Sequence, residues 1–289
     1  MLRVEKKIAG LRWAIALSVF LALMKGGAGF FCSSAALLAS TLDSIMDIGI
    51  STVNYLSVRK GAQPPDQDHA YGHEKIESLA SYTQGIIIMI FAVLILAESF
   101  RRTLVSAEVL HSGTALMVIL IASAVNFALT RILARAEEET GSLILKAEKT
   151  HYLMDVLSYA LILGALLLVK FTGWGGWDLL GGVLLAVYVG FLAFKILLQA
   201  ANELVDHSLS KHALDDLDAV INRHPGVVNY HELRTRKAGT RTFIDFHLEM
   251  APDQSFEQAH EISESLIENI RAKFPDADIT VHEDPQGGR

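Results

Sequence analysis

A single cysteine, Cys32, occurs in 289 residues. That excludes an intrachain disulfide and any cluster of thiolate ligands, and it makes copper(I), which favours soft sulfur ligands, a poor candidate substrate. Charge is scarce too: 20% of residues are charged against 51% hydrophobic, and the mean hydropathy is +0.34. This balance belongs to membrane proteins rather than soluble enzymes. Basic residues are in deficit, with a formal net charge of −7. A nucleic-acid partner, whose phosphates call for a basic face, is therefore excluded. No internal repeat and no low-complexity tract occurs. No separate nucleophile or general-base motif stands out, so no enzyme activity is expected. His73-Glu74 could open a zinc-peptidase helix, but that pattern needs His at position 77, where Glu77 stands.

Apolar windows of about 20 residues, the length of a membrane-crossing helix, recur six times, at approximately 11–32, 34–57, 77–100, 113–134, 146–170 and 178–200. The first has the basic start of a signal peptide, but the next span follows almost without a loop, so it is read as a span. Gly26, Gly27 and Gly29 near its end suit close helix packing or a tight bend. The division expected is 1–206, a transport domain of six spans, and 207–289, a small soluble domain. From Ser208 onward nine Lys and Arg face fifteen Asp and Glu, so six of the seven net negative charges lie there. An acidic, His-rich domain suits cations.

Basic residues gather on one side of the spans, among them Arg3, Lys6, Lys7, Arg12, Arg59, Lys60, Lys75, Arg131, Arg135, Lys146 and Lys149, with Arg101, Arg102 and Lys170 opposite. Both termini are therefore expected in the cytoplasm, with the protein multi-pass in the bacterial inner (plasma) membrane. The soluble part reads as helix, strand, strand, helix, strand. A helix is expected over Leu209–Arg223 and strands over Val227–Arg236 and Arg241–Glu249. Ser255 and Gln258 have capping-box spacing for a helix to about Lys273, and a last short strand begins at Ile279. The fold class expected is thus an all-α six-helix transmembrane bundle followed by a small α+β domain in the order α-β-β-α-β.

Three constellations carry chemistry. Asp43 with Asp47 in the second span, and His151 with Asp155 in the fifth, are each four residues apart, which places both members of a pair on one helix face. Ionisable groups at membrane depth are costly, about 2.5–3.5 kcal/mol per Asp on the milder scale, and so mark function. One nitrogen and three oxygens suit tetrahedral zinc, with iron(II), cobalt and cadmium behind it. The bland reading is a structural network with Lys25 or a neighbouring span. The second constellation is Asp66, His69 and His73, at spacings of three and four in the loop after the second span. It reads either as a metal site or as a solvated turn. The third comprises His231, His247, His260, His282 and Asp284, which one sheet with a covering helix could bring together. His111, His207, His212 and His224 read as surface histidines.

Together these residues resemble the cation diffusion facilitator family, most closely its bacterial zinc and iron exporters. The likeness extends to Tyr71-Gly72-His73-Glu74-Lys75-Ile76-Glu77-Ser78-Leu79, Pro225-Gly226-Val227, His231-Glu232-Leu233-Arg234-Thr235-Arg236, Phe246-His247-Leu248-Glu249-Met250 and His282-Glu283-Asp284-Pro285. The resemblance implies a transport site of Asp43, Asp47, His151 and Asp155, and a loop site of Asp66, His69 and His73. It further implies a two-ion cytoplasmic site of His231, His247, His260, His282 and Asp284, with Asp284 bridging. Lys75 and Asp206 would form an ion pair at the interface of a homodimer whose soluble domain is metallochaperone-like.

The expected function is export of a divalent cation, Zn2+ first and Fe2+, Cd2+ or Co2+ next, in exchange for protons across a lipid bilayer. Ligation needs neutral imidazole and ionised carboxylate, so protons and metal compete. A membrane-anchored metal sensor that moves nothing would explain the C-terminal histidines but not the intramembrane ligands.

Overall fold

The computed structural model describes residues 2–32, 35–104, 113–174 and 176–287; His111 lies outside them. Six long helices come first: α1 (Leu2–Phe31), α2 (Ala35–Gly61), α3 (Lys75–Leu104), α4 (Gly113–Thr140), α5 (Leu143–Thr172) and α6 (Gly176–Leu204). Within the described residues α1, α3, α4 and α6 are each long and apolar enough to cross a membrane. Helices α2 and α5, of 27 and 30 residues, carry the paired candidate ligand residues. The chain divides into two compact units, Met1–Ala201 and Asn202–Arg289.

The first unit is patterned inside out. On α2, Ser44, Asp47, Ser51 and Asn54 are buried, a stripe at helical spacing, whereas Leu42, Ile45, Met46, Val53 and Leu56 are exposed. Such a helix suits lipid outside and polar chemistry inside. Two apolar clusters hold the bundle, and α5 contributes to both. Leu143, Ala147 and Met154 pack with α3 and α6, while Ile144, Leu145 and Tyr152 pack with α1, α2 and α4. The histidine and carboxylate of α5 are thereby held in the middle of the unit rather than at its rim.

Buried polar groups tie the same helices together. Glu148, fully buried, accepts hydrogen bonds from Ser51 and Asn54 of α2 and from Gln84 Nε2 of α3 at 2.9 Å. The Tyr152 hydroxyl meets Ser51 Oγ at 2.9 Å and Ser18 Oγ of α1 at 2.8 Å. Buried polar groups of this kind each need a hydrogen-bond partner to offset their desolvation.

The second unit contains α7 (Lys211–Asn222), β1 (Asn229–Ala238), β2 (Arg241–Met250), α8 (Phe256–Lys273) and β3 (Ala277–Pro285). Ser210 caps α7, and the expected capping box of Ser255 with Gln258 forms at the start of α8. The sheet runs β1-β2-β3, with β2 antiparallel to β1 and parallel to β3, which α8 makes possible as the crossover. Ile244, Phe246, Leu248 and Met250 alternate onto the face covered by Leu217 and Ile221 of α7 and Ala259, Leu266 and Ile270 of α8.

Two details depart from simple alternation. Tyr230 and Leu233, three residues apart, both pack into this core because β1 bulges between His231 and Arg234, with Glu232 at φ 53°. A non-glycine residue there is strained, and the strain re-aims the strand. Gly226 has φ +89°, a left-handed conformation that favours glycine, so the turn into β1 needs it there. His224, read from sequence as a surface residue, is instead buried, with Nε2 3.2 Å from Ser265 Oγ. The chain's turn after α7 directs it beneath α8, which spacing alone does not reveal.

Candidate metal centres

Helices α2 and α5 face one another through the stripes described above, and this brings Asp47, His151 and Asp155 together. One ligand atom from each lies within 4.8 Å of the others. His151 Nε2 stands 2.8 Å from Asp47 Oδ1. The amide of Asn126, on α4, donates to Asp155 Oδ2 at 3.2 Å. Asn126 thus fixes the orientation of the Asp155 carboxylate, the arrangement that outer partners of metal sites adopt. In the sequence its only signal is a single amide within an apolar span. Asp43 is not in this group. It is exposed and lines the same cavity of about 570 Å³ as Asp47, His151 and Asp155. The fourth expected ligand therefore stands one α2 turn from Asp47 on the cavity wall instead of within the group of three.

The loop between α2 and α3 brings its three residues together. Asp66 Oδ1 accepts from the His69 backbone N–H at 2.7 Å, and Asp66 Oδ2 lies 3.2 Å from His73 Nε2. The rings of His69 and His73 are 4.6 Å apart. Donation from the His69 backbone, with the two imidazoles nearby, holds the Asp66 carboxyl below its ordinary range. A carboxylate kept ionised beside two imidazoles is a ligand set for a borderline cation.

The C-terminal cluster follows from strand register. His231 pairs with His247 across β1 and β2, and His247 with His282 across β2 and β3, so the three imidazoles form a row over adjacent strands. Their rings stand 5.1 Å and 4.7 Å apart in turn. Asp284 touches all three: Oδ2 is 2.9 Å from His247 Nδ1 and 3.4 Å from His231 Nε2, and Oδ1 is 3.2 Å from His282 Nε2. His260 corrects the expectation that one chain gathers all five. It is exposed on α8, which covers the helix-packed face of the sheet, whereas His247, one residue out of phase with Phe246 and Leu248, points to the other face. Of the expected interface pair, Lys75 begins α3, and Asp206, at φ 58°, has Oδ1 3.5 Å from Arg236 Nη1.

Among the described residues, buried imidazole nitrogens with no hydrogen-bond partner occur in all three clusters: Nδ1 of His73, Nδ1 of His151 and Nδ1 of His231. Unpaired ligand atoms beside carboxylates fit metal binding better than a closed hydrogen-bond network. The hydrogen bond from His247, with the neighbouring imidazoles, holds the Asp284 carboxyl below its ordinary value of 3.8. A carboxyl lowered by folding stabilises the native state above that ordinary value, and the contribution fades as pH falls through the lowered one. Asp284→Asn should therefore flatten the acid limb of thermal unfolding of the metal-free protein below about pH 4, and should abolish zinc binding at this cluster. An unchanged acid limb with retained binding would show that Asp284 holds neither role.

Residues 11–205 match the cation efflux transmembrane domain, and residues 209–286 match the cytoplasmic domain of cation efflux proteins. Cation-efflux pump FieF of Shewanella oneidensis is 34% identical over 95% of this chain and 92% of its own length. Protein p34 of Rickettsia prowazekii is 31% identical over 95% of this chain and 91% of its length. A FieF pump of Klebsiella pneumoniae is 32% identical over 94% and 90%. Among solved structures, the metal-bound C-terminal domain of the CzcD transporter from Thermotoga maritima is 31% identical over 27% of this chain and 96% of that one, with a TM-score of 0.26. With the matched domains covering the helical unit and the sheet unit in turn, this multi-pass membrane protein belongs to the cation efflux, or cation diffusion facilitator, family of metal transporters.

Proposed function

We propose that the chain is a homodimeric antiporter that exports Zn2+ from the cytoplasm in exchange for protons, with Fe2+, Cd2+ and Co2+ as the other ions its ligands suit. The observation that carries this reading is the meeting of Asp47, His151 and Asp155 inside a helical bundle, with Asp43 on the same cavity wall. One imidazole and up to three carboxylates make a four-ligand set for a tetrahedral ion. Neutral imidazole and ionised carboxylates bind the ion, and protonation of the same atoms releases it, so metal and protons occupy the cavity by turns. The Asn126 amide, donating to Asp155 Oδ2, supports this carboxylate at the cavity wall.

The C-terminal row serves as a second cation site on the cytoplasmic side. Asp284 offers one oxygen toward His231 and His247 and the other toward His282, the geometry of a carboxylate shared by two ions. Bound dications would relieve the repulsion between two acidic domains and so favour the paired state. The Asp66, His69 and His73 loop is a third site, with Asp66 and His69 exposed and His73 buried. Lys75 and Asp206 are assigned to the interface of the pair on the family resemblance.

Sealed proteoliposomes with an imposed pH gradient, tested with zinc, iron(II), cadmium, cobalt and manganese in turn, check both halves of this reading. Zinc should move fastest, with protons moving oppositely. Metal uptake that ignores the pH gradient would end the antiport assignment, and binding without net flux would end the transport assignment.

A further inference from the structure

The cavity that holds the intramembrane ligands also holds a cation that the chain itself supplies. Lys25 of α1 is buried, and it lines this cavity together with Asp43, Asp47, His151 and Asp155. Its Nζ donates to Ser44 Oγ at 2.9 Å and Tyr159 Oη at 3.2 Å. Ser44 lies between Asp43 and Asp47 on α2, and Tyr159 is one turn beyond Asp155 on α5. The ammonium is thus fastened by neutral hydroxyls at points flanking both ligand pairs, and among the described residues it forms no ion pair. A buried ammonium without a carboxylate in contact is costly unless nearby negative charge offsets it. Among the described residues, the acids lining this cavity besides Glu98 are the three aspartates of the proposed transport site.

Charge counting gives that arrangement a purpose. Glu98 is already neutralised by its ion pair with Arg101, 2.7 Å to Nε, so three ionised carboxylates and one ammonium leave the cavity two negative charges from neutrality, which one dication supplies. Without the ammonium, a dication would leave an uncompensated negative charge at membrane depth and would be held more tightly, since cations a few ångströms apart in a weakly polar cavity repel strongly. We infer that Lys25 is a fixed counter-charge that matches the transport site to a single divalent ion and keeps its grip weak enough for release. The inference rests on the transport reading of this cavity, and it makes Lys25 a specificity-determining residue and not a ligand.

Zinc alone is titrated into the full chain in detergent against a competing chelator, with Asp47→Ala introduced into each variant as the blank that isolates the intramembrane site. Lys25→Gln, which can keep a hydrogen bond to Ser44, should bind zinc at least about ten-fold tighter and should turn over more slowly in vesicles. Lys25→Arg, which keeps the charge, should bind as the unaltered chain does. Lys25→Met replaces the Gln variant should that one fail to fold. A merely structural lysine predicts the opposite sign, weaker binding on removal. Unchanged or weaker affinity in the neutral variant, or equal tightening in the Arg variant, overturns the inference. Failure of the unaltered chain to move metal would instead overturn the transport reading, while the binding comparison would still stand.

Discussion

Vesicles carrying Asp47→Ala are expected to lose metal uptake, with affinity for zinc at the intramembrane site falling about a hundred-fold or more. Asp47 is both a ligand candidate and the 2.8 Å partner of His151 Nε2. Its removal deletes one oxygen from the set and leaves a buried imidazole with neither nitrogen engaged, because Nδ1 already lacks a partner. Breaking a buried charged or charge-assisted pair costs about 3–5 kcal/mol, and about 1.4 kcal/mol is a factor of ten in affinity. Asp155→Ala should behave alike, and Asn126→Ala more mildly, by about ten-fold, since it only orients Asp155. Size-exclusion chromatography should show the variants still folded, because the apolar clusters around α5 do not include these residues. Wild-type uptake in Asp47→Ala and Asp155→Ala together would remove the basis for placing transport in this cavity.

The largest stability effect is expected at Lys7 and Glu77, outside the three candidate ligand sets. Lys7 is 1% exposed and Glu77 6%, and the ammonium reaches both carboxylate oxygens, at 2.9 and 2.7 Å. The pair links α1 to the first turn of α3. Glu77→Ala strands a buried ammonium and should cost about 3–5 kcal/mol, whereas Lys7→Met with Glu77→Leu should lie within about 1 kcal/mol of the unaltered chain, because desolvation of the ions absorbs most of their attraction. Unfolding of the reconstituted protein in graded denaturing detergent reads both. A double variant as unstable as the single one would show that the pair contributes net stability beyond mutual neutralisation.

Much of this was legible along the chain because it depends on short spacings. A separation of four residues puts two side chains on one helix face whatever surrounds it, so the pairs in α2 and α5 could be recognised at once. Ser255 and Gln258 likewise announce their helix start through a purely local exchange of hydrogen bonds. The His282 and Asp284 pair, two apart on β3, meets as strand geometry requires. The bulge at Glu232 was not legible. Alternation in β1 had no marker for an extra residue, and a Glu at φ 53° is not the glycine that usually signals one.

Residues that act through distant partners were harder to see. Asn126 is one amide in an apolar span until α4 brings it to Asp155, and Glu148 reads as a charge near a helix end until α2 and α3 close around it. His260 shows the reverse case, a histidine with the right chemistry on an element that packs against the wrong face.

Composition, apolar run length and local spacing were enough to establish a membrane bundle with a small acidic α+β domain, and to nominate its ligand residues, because hydrophobic burial and helix or strand periodicity operate over neighbouring residues. Which nominees meet was decided only in three dimensions. Asp43 one turn away from the other three, Asn126 braced on Asp155, Lys25 admitted to the cavity and the imidazole row turned away from α8 all depend on helix approach and strand register. Those are set by the packing of whole elements against one another, and no short stretch of chain contains that information.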